Sequence, residues 1–307
     1  MRVLKTAPKE VLDVAFSPDC RAIAAAVEGA GVFLWNLDSP NIAPVRLEAE
    51  GGYRAGGLNF SACGRRLAWL SFNGRRTYDR DDRTAIAAVY PMPAAHGMFH
   101  GSDDAGTRAV SNHSFPDHCL IGWKWVEGEW VRQWQLSTRE LSVESVTLAP
   151  VGDRFAMFTR VTVGGRWWEQ PMRLEVRDVA DAAVRTTGTY PYSYAAKPLR
   201  FHPAGEQIAG VNNMTLLVWS LPAGGDPRLV QNDNRKHFTA LAYHPDGRSL
   251  FVTSNDETVQ VFDARSLDRA NRYTWQLDKL SAVAVSPDGT LAAAGSANGD
   301  VVVWDLE

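Results

Sequence analysis

The chain has 307 residues, 45% of them hydrophobic, with a formal net charge of −3 and three cysteines. That near-neutral balance argues against a general polyanion partner, so nucleic acid is not expected. No run approaches the ~18 apolar residues of a membrane span. No signal-peptide apolar core opens the chain, and Cys20, Cys63 and Cys119 lack metal spacing, so a cytoplasmic protein with reduced thiols and no membrane partner is expected.

Taken in order, Arg2-Val3-Leu4-Lys5-Thr6 reads as a lone strand. Phe16-Ser17-Pro18-Asp19-Cys20 is a tight turn, and it leads to the apolar run Val32-Phe33-Leu34-Trp35-Asn36. Gly51-Gly52 and Gly56-Gly57 bracket a short loop as turn glycines. Phe60-Ser61-Ala62-Cys63-Gly64 repeats the turn. The charged tract Arg75–Arg83 then follows a strand, and no strands are assigned to residues 73–100. A degenerate turn runs from Phe99 to Arg108. After the connection Asn112–His118, the alternation in Trp123-Lys124-Trp125 and the turn Glu127-Gly128-Glu129 predict a hairpin. Leu148-Ala149-Pro150-Val151-Gly152-Asp153 is the next turn. It is followed by the long connection Arg160–Pro171 and by Tyr190-Pro191-Tyr192-Ser193-Tyr194. Three clear copies end the chain: Phe201–Gly205 before Leu216–Ser220, Tyr243–Gly247 before Val259–Asp263, and Val285–Gly289 before Val301–Asp305.

Proline presets φ in the second position of such a turn, and glycine accepts the backbone conformation needed to leave it. The anchors at 16, 60, about 99, 148, 201, 243 and 285 number seven and recur at roughly 40–53 residues, the period of a propeller of four-stranded blades. With the run that closes each repeat, they resemble the WD-repeat (tryptophan–aspartate repeat) β-propeller family along essentially the whole chain. The resemblance implies an all-β, seven-bladed β-propeller of four-stranded antiparallel blades, a single domain over 1–307, whose strand-end rings pack between sheets. Blade seven lacks a fourth strand after Asp305, so residues 2–6 are expected to supply it and remove an exposed edge. The alanine- and arginine-rich composition gives a bacterial impression.

The family's glycine–histidine pair, about ten residues before each turn, is absent from every blade. Asp256 sits where the family's network aspartate belongs, with Asn213 and Asn298 in the matching places. Without the histidine, Asp256 is expected to bond backbone amides of its own turn. Blades two to four are the irregular ones. In a propeller the second-to-third-strand loops and the inter-blade loops share one face, opposite the turn tetrads. Trp167, Trp168, Arg166, Tyr190, Tyr192 and Tyr194, with Phe115 and Arg80 at the margin, are therefore the candidate partner-binding surface, since interface cores favour aromatics and arginine. The alternative is that Trp167 and Trp168 cap their own blade. Trp123, Trp125, Trp130 and Trp134 read as structural.

His96, His100, His113 and His118 cluster in sequence, but at spacings that match no zinc motif, so no metal site is assigned. His202 and His244 replace the turn serine and read as structural. The sequence has no nucleophile elbow, phosphate loop or paired-carboxylate motif, so neither a catalytic set nor a cofactor is expected. The fold leaves function open. The leading expectation is a non-catalytic scaffold, monomeric by itself, presenting loops to a protein or peptide. The alternatives are a sensor or assembly subunit of a bacterial signalling or defence complex, and a propeller hydrolase or lyase with a central-channel site.

Overall fold

A computed structural model describes residues 1–39, 43–47, 56–61, 63–71, 74–81, 84–86, 97–102, 108–113, 118–127, 129–150, 153–161, 172–190 and 198–306. Strand β1 is Arg2–Lys5. Blade one is β2 (Val11–Phe16), β3 (Ala22–Val27), β4 (Gly31–Asn36) and β5 (Val45–Leu47). Blade two is β6 (Gly56–Phe60), β7 (Arg66–Ser71), β8 (Gly74–Asp79) and β9 (Thr84–Ile86). Blade three is β10 (Gly97–Ser102), β11 (Arg108–His113), β12 (Cys119–Val126) and β13 (Glu129–Ser137). Blade four is β14 (Leu141–Leu148), β15 (Arg154–Val161), β16 (Met172–Asp178) and β17 (Val184–Tyr190). Blade five is β18 (Leu199–Phe201), β19 (Gln207–Asn212), β20 (Thr215–Ser220) and β21 (Arg228–Gln231). Blade six is β22 (Phe238–Tyr243), β23 (Ser249–Ser254), β24 (Thr258–Asp263) and β25 (Arg269–Thr274). Blade seven is β26 (Leu280–Val285), β27 (Leu291–Ser296) and β28 (Asp300–Asp305). Every sheet has four antiparallel strands, and β1 completes the last as β1-β28-β27-β26, with Arg2 opposite Val303 and Lys5 opposite Asp300. The architecture is the expected seven-bladed β-propeller. The third strand left unassigned in blade two is β8, so Arg75 to Asp79 are strand and not loop.

Contacts divide the chain into two compact units, Met1–Tyr90 with Lys236–Glu307, and Pro91–Arg235. In the first, β3 is buried at all six residues because a neighbouring sheet covers each face. The strand period of two sends alternate side chains to opposite neighbours. Ile23, Ala25 and Val27 meet Ala293, Val301 and Val303 of blade seven, while Ala22, Ala24 and Ala26 meet Leu67, Trp69 and Tyr78 of blade two. Trp35 and Trp304 are 4% and 5% exposed, which places them in the core as their strand-end positions predict.

The turn tetrads act through their side chains as well as their backbone. Ser286 donates to Asp288 at 2.5 Å, the Thr290 amide donates to the same carboxylate at 3.0 Å, and the Leu291 amide donates back to the serine at 2.9 Å. Asp288 is thereby held down to about 2, chiefly by the Ser286 hydroxyl. Gly289 follows at φ 75°, and Gly64, Gly205 and Gly247 sit at φ 70–75° in their own turns. Blade one places Cys20 in that left-handed position, at φ 57°, which costs a side-chain-bearing residue about 1 kcal/mol.

In the second unit, Phe158, Leu174 and Met172 of blade four pack with Phe201, Ile208 and Trp219 of blade five. Phe155 and Met157 face Val110 and Leu120 of blade three. Trp219 is fully buried. The turn after β20 docks on blade four: Gly225 donates to Thr187 O at 3.1 Å and Thr186 donates to Pro222 O at 2.9 Å. Gly188 must be glycine here, because an added Cβ would stand 2.8 Å from Gly225 O and from the Trp219 ring. Outer strands β13, β17 and β25 each shift register, at Gln133, Arg185 and Ala270. A bulge at an edge turns the unpaired backbone away and blunts sheet-to-sheet pairing.

Candidate functional site

Each blade has two ends. One carries the first-to-second-strand turn and the third-to-fourth-strand turn. The other carries the second-to-third-strand connection and the link to the next blade. In the first unit the turn end is an ionic lattice. Asp79, 1% exposed, accepts from Arg65 Nε at 2.8 and 3.0 Å. Arg80 donates to Gly64 O at 2.7 Å, reaches Asp19 at 3.5 Å and lies 5.9 Å from the Phe60 ring centre. The Asp19 carboxyl is driven up by burial but is lowered on balance by bonds from Ser17, the Arg21 amide and Arg80. His244 Nε2 lies 3.0 Å from Gly289 O and ties the turns of blades six and seven.

The opposite end is short in blades five to seven and one. Only Asn213 and Met214 join β19 to β20, and three residues join β23 to β24, β27 to β28 and β3 to β4. Those residues serve their own turns. Asn298 accepts from Ser296 at 2.6 Å and from the Asp300 amide at 3.3 Å. Asp256 accepts from the Thr258 hydroxyl at 2.6 Å and pairs with Arg272 at 2.9 Å, a side-chain role beyond the backbone bonding the sequence suggests. Gln276 stands ten residues before Ser286 (286 − 276), where the family's histidine is missing, and Trp275 precedes it. The Trp275 ring lies 4.5 Å from that of Trp304, with Tyr273 at 5.7 Å, so tilted rings pack beside Trp304 where the family has its polar network. The buried Nε1 atoms of Trp304 and Trp219 have no hydrogen-bond partner among the described residues.

Blade four is built differently at this end. Ten residues, 162–171, separate β15 from β16, and eight, 191–198, separate β17 from β18. Arg160, Met172 and Tyr190 stand side by side across the last rungs of the sheet, so both long connections leave from that row. Arg160 and Met172 are buried there.

The family model "WD domain, G-beta repeat" matches residues 228–263 and 272–305. Each match begins in an outer strand and ends in the third strand of the next blade, one strand out of phase with the sheets. The chain is a seven-bladed propeller that carries WD repeats over those two spans. It is similar to the guanine nucleotide-binding protein subunit beta of Oryza sativa subsp. indica, 25% identical over 105 residues, covering 32% of this chain and 28% of that protein. It is also similar to pre-mRNA-processing factor 19 homolog 2 of Arabidopsis thaliana, 24% identical over 117 residues, covering 38% and 22%. The matches thus span about a quarter of those relatives' length. The crystal structure of the Myceliophteria thermophila Cps50 (Swd1) beta-propeller domain covers 100% of both chains at a TM-score of 0.75 and 13% identity, a likeness of fold. These plant and fungal proteins give the bacterial impression no support.

Within this propeller, the expected partner-binding residues fall in three groups. Arg166, Trp167, Trp168, Tyr192, Tyr194 and Phe115 lie outside the described residues. Tyr190 is the last residue of β17, opposite Met172. Arg80 is a correction: it follows β8, on the end that carries the turn tetrads, and bonds into one of them. It therefore does not belong with the second-to-third-strand loops. The signal was available, because Tyr78-Asp79 occupies the strand-end position that Trp304-Asp305 holds in blade seven, and the next residue must then turn on the tetrad end. Of the four clustered histidines, His96 lies outside the described residues, His100 and His113 are strand residues, and His118 is exposed. No metal-binding group of three or more ligands occurs among the described residues. Trp123 and Trp134 are structural: Trp123 Nε1 donates to Ser111 at 2.8 Å and Trp134 Nε1 to Val179 O at 2.6 Å, with the Trp134 ring stacked on Phe155 at 5.3 Å. No helix among the described residues is long and apolar enough to cross a membrane.

Proposed function

We propose that this chain, acting as one domain over residues 1–307, is a non-catalytic scaffold that presents the loops at one end of blade four to a protein or peptide partner. The supporting observation is the register row Arg160–Met172–Tyr190, from which both long connections spring. Loops on a rigid sheet can vary without cost to the core, which suits recognition. Trp167, Trp168 and Arg166 come from the first connection, Tyr192 and Tyr194 from the second, with Tyr190 at its root and Phe115 at the margin. The rice relative is by its printed name a subunit, which favours a second reading, an assembly subunit of a larger complex. The double change Trp167→Ala with Trp168→Ala tests the first. Partners recovered by affinity purification from the native host should be lost, while stability moves by less than about 1 kcal/mol, as at surface sites. An unfolded variant would make these rings core, and a folded variant that recovers every partner would put the binding surface elsewhere.

A further inference from the structure

Blades five and six open their turn tetrads with histidine, where blades one, two and seven have Ser17, Ser61 and Ser286. The two histidines differ in what stands two residues further on. His202 Nδ1 accepts from the Ala204 amide at 3.1 Å, and Ala204 brings no carboxylate. His244 has Asp246 in that place. Its Nδ1 lies 2.7 Å from Asp246 Oδ1 and 3.3 Å from the Asp246 amide. Its Nε2 lies 3.0 Å from Gly289 O, in the β26–β27 turn of blade seven. The ring presses on that turn so closely that a Cβ added to Gly289 would stand 2.6 Å from Nε2. Each ring nitrogen of His244 therefore faces an acceptor oxygen.

A neutral imidazole has one N–H to give to those two acceptors. The carboxylate is both charged and close, so it holds that proton on Nδ1 in preference to the longer amide contact. Nε2 then meets the Gly289 carbonyl lone pair to lone pair. In the imidazolium both nitrogens donate, and both contacts become hydrogen bonds. The proton that titrates is thus the one that joins blade six to blade seven. The charged groups about the ring are Asp246 and Arg248 on its own turn and Asp288 on the facing turn. Arg248 bonds to Asp246 through its amide at 2.8 Å, and Asp288 is engaged by the Ser286 and Thr290 hydroxyls. Burial acts to raise the Asp246 carboxyl, but bonds from the Arg248 amide and His244 bring it below its ordinary value. It therefore stays ionised across the range in which imidazole titrates.

We propose that His244 is a proton-operated joint between blades six and seven, made when the ring is an imidazolium and released when it is neutral. It is independent of the loop surface of blade four. The stability it contributes is full at the acidic end of the imidazole range and is lost as pH rises from about 5 to about 8. Two variants of the full chain test it, and both copy turns that the chain already uses. His244→Ser reproduces the order of Ser286–Gly289, and Asp246→Ala that of His202–Gly205. The difference in Tm, wild type minus His244→Ser, should fall by about 2 °C between those two pH values. In Asp246→Ala the ring is free to accept at Nδ1 and keep its proton on Nε2, so the same difference measured for that variant should not change with pH. Nitrogen-15 spectra of the wild type above about pH 8 should show the neutral His244 ring protonated on Nδ1. A wild-type difference that is constant with pH would overturn the proposal, as would an Asp246→Ala variant that keeps the wild-type change. So would a neutral ring protonated on Nε2, which is read from the wild type even if a variant does not fold.

Discussion

Blade seven and blade four share the four-stranded antiparallel plan and differ in what they add to an apolar core. Blade seven buries Ala292, Ala293, Ala294, Val301, Val302 and Val303, small groups that let sheets approach closely, and its strands are six residues with a three-residue connection. Blade four buries charge. Glu175 is 4% exposed, with Arg177 at 2.6 Å and Arg173 at 3.2 Å, and its strands run to seven or eight residues before a ten-residue connection. Buried ion pairs contribute little net stability compared with apolar packing, but breaking one is costly. Both blades thus draw their stability from apolar packing, and blade four adds a buried carboxylate held between two arginines.

The comparison breaks first at the rings. Trp304→Ala should cost about 3–5 kcal/mol in denaturant melts, the range for buried large aromatics. A loss below about 1 kcal/mol would mean that volume does not hold blade seven. Glu175→Gln should cost about 1–3 kcal/mol, reduced from the fully buried case because Arg173 is half-exposed. A neutral result would remove the ionic half of the contrast.

Much of the architecture was legible because its signals are local. Ser286-Pro287-Asp288-Gly289 declares its turn, and Trp304 and Trp219 declare the end of a third strand by position alone. The closing strand followed from a count of strands, and Trp123 and Trp134 were rightly assigned to packing. Features decided by pairing were not legible. The bulges at Gln133, Arg185 and Ala270 exist only relative to the partner strand. Arg80 was misplaced because the tract Arg75–Arg83 gives charge in place of the strand alternation that would reveal β8. The ring of Trp275 packs beside Trp304 where the family has its polar network, and an absence in sequence does not say what fills it.

Two smaller effects sharpen the picture of the turn end. Cys20→Gly should stabilise the protein by about 0.4–1 kcal/mol, since glycine adopts that φ without strain. A loss would show that contacts of the thiol outweigh the backbone. The smallest effect is in acid. The Asp288 carboxyl titrates at about 2 in the fold, below its unfolded value. Its contribution is therefore full above about pH 4 and is lost as pH falls through about 2. The difference in Tm between wild type and Asp288→Asn should narrow over that interval. A difference that stays constant would assign the stabilisation to shape and not to charge.

The strand that closes the last blade also sets an order in time. Of the described strands, β1 is the first to leave the ribosome, and its sheet partner, β28, is the last, with Arg2 waiting for Val303. At about 5–20 residues per second, roughly 15–60 s of synthesis separate the two. Throughout that interval the nascent chain carries an unpaired strand at one end and an incomplete blade at the other. Closure therefore waits until β28 has emerged, and it is made by the contact of greatest sequence separation and slowest loop closure.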